Sequence, residues 1–359
     1  MVNNNNPEHI FKEIPTDKVG WKSPSNIALV KYWGKKDGQI PANASLSFTL
    51  SKSLTETIIE FSPTKEENFK LEFFLDGESN EKFGENTSNY FKSLTNTFPF
   101  INQLDFKVHS KNTFPHSAGI ASSASGMSAI ALCLCDIERK YFDEFSSEDK
   151  FLKKASYFAR LGSGSACRSV YGGLVSWGEI EGVRNTSNMF GSKLMKNVDS
   201  VFENFHDSIL IVDAGEKKVS SSVGHGLMNS NPFSKGRFEQ AKNNIQKLIQ
   251  VLSSGNLQEF VKIVESEALT LHSMMMTSNP YFLLMKPNTI SIIEKIWEFR
   301  ENTGIQACFT LDAGPNIHLL YPDEDKKEVR SFIESELMQF TVNNTVIHDE
   351  VGEGPEKFL

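Results

Sequence analysis

Residues 112–126, Asn-Thr-Phe-Pro-His-Ser-Ala-Gly-Ile-Ala-Ser-Ser-Ala-Ser-Gly, form a loop between two strongly patterned segments. Before it, Leu104-Asp105-Phe106-Lys107-Val108-His109 alternates apolar and polar side chains, the period of a half-buried strand. After it, residues 127–137 are almost continuously apolar, long enough for a buried helix. Strand, Pro/Gly/Ser loop and helix N-terminus together suit a phosphate, because the first-turn N–H groups have no intrahelical partner and the helix dipole favours negative charge. No Gly-Lys-Ser/Thr follows, so this is not a Walker loop, and a Gly-x-Gly-x-x-Gly run is absent too. Taken alone, the stretch also fits a Ser-capped helix after a turn.

Three other stretches add weight. Gly162-Ser163-Gly164-Ser165-Ala166-Cys167 delivers Arg168, whose planar fork can hold a carboxylate or phosphate by two parallel hydrogen bonds. Near the N-terminus the apolar run Ile27 to Val30 predicts a strand with Lys31, Tyr32, Trp33 and Lys35 at its end, where lysines can reach a polyanion in a cleft. Asn43, Ser45 and Ser47 then alternate with Ala44, Leu46 and Phe48, a strand with one polar face. Late in the chain, Asp312 stands at the end of a predicted strand before Ala-Gly-Pro-Asn316.

The loop at residues 115–124 resembles the phosphate-binding motif of the GHMP small-molecule kinase superfamily. Within it, the run at residues 26–35, the run ending at Arg168 and Asp312 to Asn316 resemble the diphosphomevalonate decarboxylases, in matching order from about Ser23 to Pro355. The resemblance implies an α+β GHMP kinase fold, with an N-terminal ribosomal-protein-S5-domain-2-like domain and a C-terminal ferredoxin-like α/β sandwich. It implies ATP and Mg²⁺ as cofactors and mevalonate diphosphate as substrate, converted to isopentenyl diphosphate with release of ADP, phosphate and carbon dioxide. Asp312, Lys31 and Arg168 take the catalytic positions: Asp312 as base for the alcohol, Lys31 beside it, and Arg168 on the substrate carboxylate. Tyr32, Lys35, Ser163, Ser165, Ser221 and Ser222 fall on the substrate's diphosphate tail. Gly119, Ser122, Ser123 and Asn112 fall on the nucleotide, with Mg²⁺ carried by the ATP phosphates, Ser122 being its one candidate protein contact. A homodimer is implied as well.

The sequence departs from the family pattern in places. His116 and Ser117 stand where Thr-Ala is commoner, and His225 replaces a usual methionine. Leu271-His272-Ser273 followed by Met274, Met275 and Met276 is only a loose version of a His-Ala-x-x-x-Asp stretch, without the aspartate. Three methionines in a row point to helix packing rather than ligand binding. Two further readings stay open: a GHMP-fold kinase or decarboxylase acting on mevalonate or its monophosphate, and a non-catalytic metabolite-sensing protein. The second would have a decayed phosphate loop or acid, and neither decay is visible.

Composition is consistent with this. The 359 residues give ample core for two domains, expected at 21–200 and 201–359 after a polar extension at 1–20, with the last residues returning to the cleft. The unpatterned segment from Glu179 to Ser200 is the expected boundary. Net charge is −8 and no Lys/Arg block occurs, which argues against a nucleic-acid surface. Cys133, Cys135, Cys167 and Cys308 match neither a zinc site nor a disulfide scaffold. Met1 to Asp17 lacks the apolar core of a signal peptide, and no stretch is apolar enough to span a bilayer, so a soluble cytoplasmic protein without membrane partners is expected.

Overall fold

The computed structural model describes residues 9–115, 120–194, 197–215 and 221–359, with only the backbone of Ser221 and Ser222. Gly119, His116 and Ser117, in the loop read as phosphate-binding, lie outside the described residues.

Two long strands dominate the first half: β1 (Asp17–Val30) and β4 (Ser45–Pro63), paired antiparallel. Between them lies the small hairpin of β2 (Lys35–Lys36) and β3 (Ile40–Pro41). Strand β4 continues the sheet to β7 (Leu104–Asn112), which pairs in parallel with β5 (Leu71–Leu75), and β5 with β6 (Glu78–Ser79). The upper end of β4 also pairs with β8 (Leu174–Trp177), and β8 with β9 (Ser192–Lys193). Helices α1 (Glu81–Leu94), α2 (Ser122–Phe142) and α3 (Glu148–Gly162) supply the rest of this half. Their apolar faces and the sheet enclose a core rich in phenylalanine, including Phe91, Phe98, Phe100, Phe106, Phe151 and Phe158.

The second half is a four-stranded antiparallel sheet in the order β11 (Cys308–Thr310), β12 (Ile317–Tyr321), β10 (His206–Leu210), β13 (Val346–Glu350). With it come α4 (Ser221–Leu227), α5 (Ser234–Ser254), α6 (Leu257–Met276), α7 (Pro287–Thr303) and α8 (Lys326–Phe332). Apart from the parallel β5–β7 pair, the strand pairs described here are antiparallel, as in an α+β rather than an α/β architecture.

One apolar cluster crosses from half to half. Ile27, Leu29, Leu46, Phe48 and Leu50 of the first sheet pack with Ile209, Ile245, Leu248, Phe260 and Cys308 of the second half. Asp349 stitches the same junction with its carboxylate, accepting from the backbone N–H groups of Ser51, Lys52 and Ser53 at 2.7–2.8 Å. The two halves therefore share one close-packed core at their junction.

Several elements differ from the periodicity reading. Strand β1 begins at Asp17, inside the segment read as a polar extension, and Phe11 ahead of it is already buried in the first core. Lysines, Ser23, Pro24 and Ser25 mask the strand, and Pro24 is accommodated at a break in the β1–β4 register. Helix α1 is absent from the pattern because its buried positions include Gly84 and Thr87 beside Tyr90, Phe91 and Leu94. Two of the three consecutive methionines, Met274 and Met275, are buried against Trp33, Met228 and Leu271, as packing requires, and Met276 is exposed.

The C-terminal residues return to the first half. Val351 donates to Phe205 O, Gly352 to Thr49 O, and Gly173 to Gly352 O. Strand β14 (Glu356–Lys357) then closes the edge of β1. A methyl group on Gly172 would overlap the Glu353 carbonyl. Gly172→Ala is expected to unseat this tail at a cost of about 2–3 kcal/mol, the scale of overpacking. Thermal unfolding reads it as a Tm lowered by about 5 °C; an unchanged Tm would mean that the tail is not held at this turn.

Candidate active site

Lys31 leaves the end of β1 and is buried; its Nζ lies 3.1 Å from Asp312 Oδ1, whose side chain is 24% exposed. The two residues are 281 positions apart and come from opposite halves. Asp312 follows β11 in a tight turn closed by Gly314 N–H to Asp312 O at 2.7 Å. Asn316 anchors that turn, its Oδ1 accepting from Val212 and Asp213 N–H at 2.7 and 2.9 Å. His272, on α6, donates from Nε2 to the Asp312 carbonyl at 3.1 Å. Burial pushes the Lys31 ammonium below the ordinary lysine range, while the carboxylates of Asp312 and Glu267 act in the other direction.

Arg168 is buried, and its hydrogen bonds explain the polar strand face seen in the sequence. Nε donates to Ser47 Oγ at 3.0 Å and Asn26 Oδ1 at 3.2 Å, and Nη1 to Ser45 Oγ at 2.6 Å. Ser45, Ser47 and Thr49 alternate on β4 with Leu46, Phe48 and Leu50, and all six are buried. One face is hydrophobic core; the other is a hydroxyl shelf that fixes a guanidinium. Asn26 is fixed in turn by donating to Ser169 Oγ at 2.8 Å.

Tyr32 packs against Arg168. Its ring lies under the Arg168 guanidinium, 5.7 Å from centroid to Cζ, and its hydroxyl is hydrogen-bonded to Ser165. Gly164 sits where a side chain would collide with the Trp177 ring and crowd the Tyr32 hydroxyl, which explains the small residue before Arg168. Ser163 and Ser165 are both half-buried, on the 3₁₀ turn at residues 164–168 and at its cap.

His225 on α4 is stacked against Tyr32 with centroids 4.5 Å apart and tilted against Trp33 at the same separation. Its Nδ1 accepts the Gly34 N–H at 3.0 Å, so the ring is neutral with its proton on Nε2. Burial, then the nearby Lys35 charge, press its pKa from 6.5 down to about 3. Burial likewise lowers His272 to about 4, against the hydrogen bond to the Asp312 backbone.

These two rings set an acid limit on the fold. The unfolded chain takes up two protons below pH 6.5 that the folded chain refuses until about pH 4 and pH 3. Their contribution is complete above pH 6.5 and drains as the pH falls through that window, at about 1.4 kcal/mol per pH unit for each ring. His225→Met is expected to remove one proton from the slope between about pH 6 and 4. Chemical denaturation at several pH values measures it, and an unaltered slope would place that proton elsewhere.

Helix α2 starts at Ser122, half-buried, with Ser123 exposed. Its N-cap, Ala121, is left-handed at φ 47° and offers no side-chain cap, and no acidic residue lies in the first turn. That helix end is thus electrostatically open to phosphate. Asn112, at the end of β7, accepts from Thr55 Oγ1 at 2.7 Å. Thr55 in turn shares a 2.6 Å hydrogen bond with Ser125 of α2, which ties Asn112 to the phosphate-loop helix. Among the described residues no group of three or more His, Cys, Asp and Glu is placed to hold a metal ion.

The structure brings Lys31, Asp312, Arg168, Tyr32 and Ser165 together, and places Lys35 beside His225. The side chains of Ser221 and Ser222 lie outside the described residues. Sequence reasoning noted Asn43 on a polar strand face and His272 in a departure from the family pattern without giving either a role, and did not single out Asn26, Arg237 or Glu267. Their work depends on distant neighbours in the chain or, for Asn43, on capping the Lys31 carbonyl at 2.9 Å. The strand alternation at residues 43–48 was the one available signal for part of this set.

Comparison with known proteins gives the arrangement a family. Residues 23–189 match the diphosphomevalonate decarboxylase-like N-terminal domain, and residues 208–357 the mevalonate 5-diphosphate decarboxylase C-terminal domain. The diphosphomevalonate decarboxylase of Gibberella zeae is 29% identical over 324 residues, covering 84% of this chain and 80% of that one. The mevalonate diphosphate decarboxylase from Staphylococcus aureus superposes with a TM-score of 0.82 at 26% identity, over 96% of this chain and 99% of the other. A solved structure of the protein designated MDDEF in complex with MVAPP, AMPPCP and magnesium superposes with a TM-score of 0.81 at 26% identity, over the same shares. With its GHMP-kinase-like fold and both domain models matched in order, this chain belongs to the diphosphomevalonate decarboxylases of the GHMP kinase superfamily.

Proposed function

We propose that this chain carries out the ATP- and Mg²⁺-dependent decarboxylation of mevalonate 5-diphosphate to isopentenyl diphosphate, releasing ADP, phosphate and carbon dioxide. The observation that carries the proposal is the buried Lys31 ammonium 3.1 Å from the partly exposed Asp312 carboxylate, in a chain of this family. An exposed surface pair would be worth little, but here one partner is desolvated and the other faces the cleft.

The chemistry asks three things of the protein. A tertiary alcohol must lose its proton as it is phosphorylated, and Asp312 is the acceptor, kept anionic by Lys31. The substrate carboxylate must be aligned with the carbon–oxygen bond that breaks, and Arg168 aligns it. The hydroxyl shelf takes Nε and one Nη1 hydrogen, so the Nη2 side of the fork meets the carboxylate. Positive charge developing at the tertiary carbon must be confined until carbon dioxide departs, which calls for walls that exclude water.

The diphosphate tail is assigned to Tyr32, Lys35, Ser163, Ser165, Ser221 and Ser222, and the nucleotide phosphates to the α2 N-terminus with Gly119, Ser122, Ser123 and Asn112. Bound there, Mg²⁺-ATP supplies the phosphoryl group that converts hydroxide into a phosphate leaving group. Positioning and charge dominate such transfers, which fits a site built from fixed cations and hydroxyls. A homodimer, a cytoplasmic location and the domain division at 21–200 and 201–359 belong to the same reading; the first rests on the family resemblance, the second on the sequence's lack of an apolar leader or span, and the third on chain length and the unpatterned segment from Glu179 to Ser200. No helix among the described residues is long and apolar enough to cross a membrane.

Incubation with Mg²⁺-ATP and, separately, mevalonate, its monophosphate and its diphosphate tests the proposal by following ADP and carbon dioxide together. Equal release of both from the diphosphate alone is expected. ADP without carbon dioxide would make the protein a kinase, and turnover of the monophosphate would reassign the substrate.

A further inference from the structure

Arg237 on α5 and Glu267 on α6 face one another with both side chains fully buried. The pair is bidentate, Nη1 to Oε1 at 2.8 Å and Nη2 to Oε2 at 2.5 Å. It is not closed on itself. Arg237 Nη2 also donates to the backbone carbonyl of Lys31 at 2.8 Å, and Glu267 Oε2 accepts the backbone N–H of Lys31 at 2.9 Å. Asn43 Nδ2 reaches the same carbonyl at 2.9 Å, and Asn244 Nδ2 steadies Glu267 Oε1 at 2.7 Å. Both backbone polar groups of one residue are thus gripped by two opposite charges from the other half of the molecule.

Stability alone explains this poorly. A buried ion pair costs several kcal/mol of desolvation per ion, and packed apolar side chains often serve a fold equally well. What apolar side chains cannot do is hold the peptide units on either side of Lys31. Just beyond Ala28 the β1–β4 register is interrupted, so the regular ladder does not fix the end of β1 by itself.

We infer that Arg237 and Glu267 are positioning residues for the transfer step, clamping the Lys31 backbone so that its ammonium stands beside Asp312. This rests on the catalytic assignment of Lys31 and Asp312. The clamp spans the halves: its charges come from α5 and α6, its target from β1, and Asp312 from the turn after β11. Displacement of a catalytic group by an ångström costs about 100-fold in rate, so the clamp acts on turnover more than on substrate affinity. The negative charge of Glu267 further favours the ammonium form of Lys31 against its burial.

The test is kinetic and uses the whole protein. Arg237→Leu combined with Glu267→Leu removes both charges and keeps apolar bulk. The clamp predicts a folded protein whose KM values for mevalonate diphosphate and ATP stay within about threefold, with kcat lower by about 100-fold. A folded double variant with kcat within about threefold of the parent overturns the inference. So does a fall in activity that only tracks the folded fraction. Should the double variant fail to fold, Arg237→Lys decides by the same split, because lysine keeps the charge and loses the fork. Asp312→Asn is assayed alongside: near-parental turnover there would sink the site assignment itself, whereas an inactive Asp312→Asn beside an active double variant would sink the clamp alone.

Discussion

Asp312→Asn is expected to lower kcat by about 10³-fold while leaving KM for mevalonate diphosphate within a few-fold, because it removes the proton acceptor and leaves the anion-binding groups in place. The amide preserves shape and can still accept a hydrogen bond from Lys31. It cannot take the proton of the tertiary alcohol. The backbone turn around residue 312 is held by Gly314, Asn316 and His272 through groups that the substitution does not touch, so the fold should persist, but the buried Lys31 ammonium loses its main counter-ion and Tm should fall. Steady-state kinetics with calorimetry on the same sample separates the two effects. If turnover survives, the base lies elsewhere and Asp312 serves Lys31 rather than the alcohol.

Arg168→Gln carries the second large effect: kcat/KM for mevalonate diphosphate should fall by about 10³-fold with the KM for ATP little changed. Glutamine loses the charge and the fork that align the carboxylate. It also leaves Ser45, Ser47 and Asn26 without their shared partner, at a stability cost of about 1–3 kcal/mol. Arg168→Lys distinguishes charge from geometry. A point charge on a flexible stem cannot satisfy three acceptors on one shelf and still present a flat edge to a carboxylate. Lysine should therefore recover substrate binding in part and turnover very little. Full recovery with lysine would reduce Arg168 to an electrostatic role.

Both experiments act on residues that are legible in the sequence. Arg168 stands out because a run of glycines and serines leads to it, and Asp312 because it ends a strand ahead of Gly-Pro. Lys31 is visible as a cation at a strand terminus. What makes these signals readable is that they are local: composition, alternation and turn chemistry all operate within a few residues. Helix α2 is readable for the same reason, since a run from Met127 to Ile137 has one low-energy use, a buried helix.

The missed elements are those whose local pattern is diluted by tertiary demands. Strand β1 carries Lys18, Lys22 and Pro24, yet it is held by pairing with β4 along its length and with β14 at Trp21 and Lys22, Pro24 sitting at a break in the β4 register. Helix α1 buries Gly84 and Thr87, so its inward face looks polar in sequence. In each case packing, rather than propensity, decides the element.

By itself the sequence pointed to two candidate anion-binding loops, the strand–loop–helix order around the first, the three charged residues proposed for the site and the family they resemble. Tertiary structure alone decided that Ser45 and Ser47 form a buried shelf under Arg168 rather than a solvated face. It also decided that Arg237 and Glu267, 206 and 236 positions beyond Lys31, hold that lysine's peptide, and that His225 and His272 are neutral. The physical reason is range. Hydrophobic period and turn preference are set by covalent neighbours, whereas burial, hydrogen-bond partners and the charge state of a buried group are set by whatever the fold brings within a few ångströms.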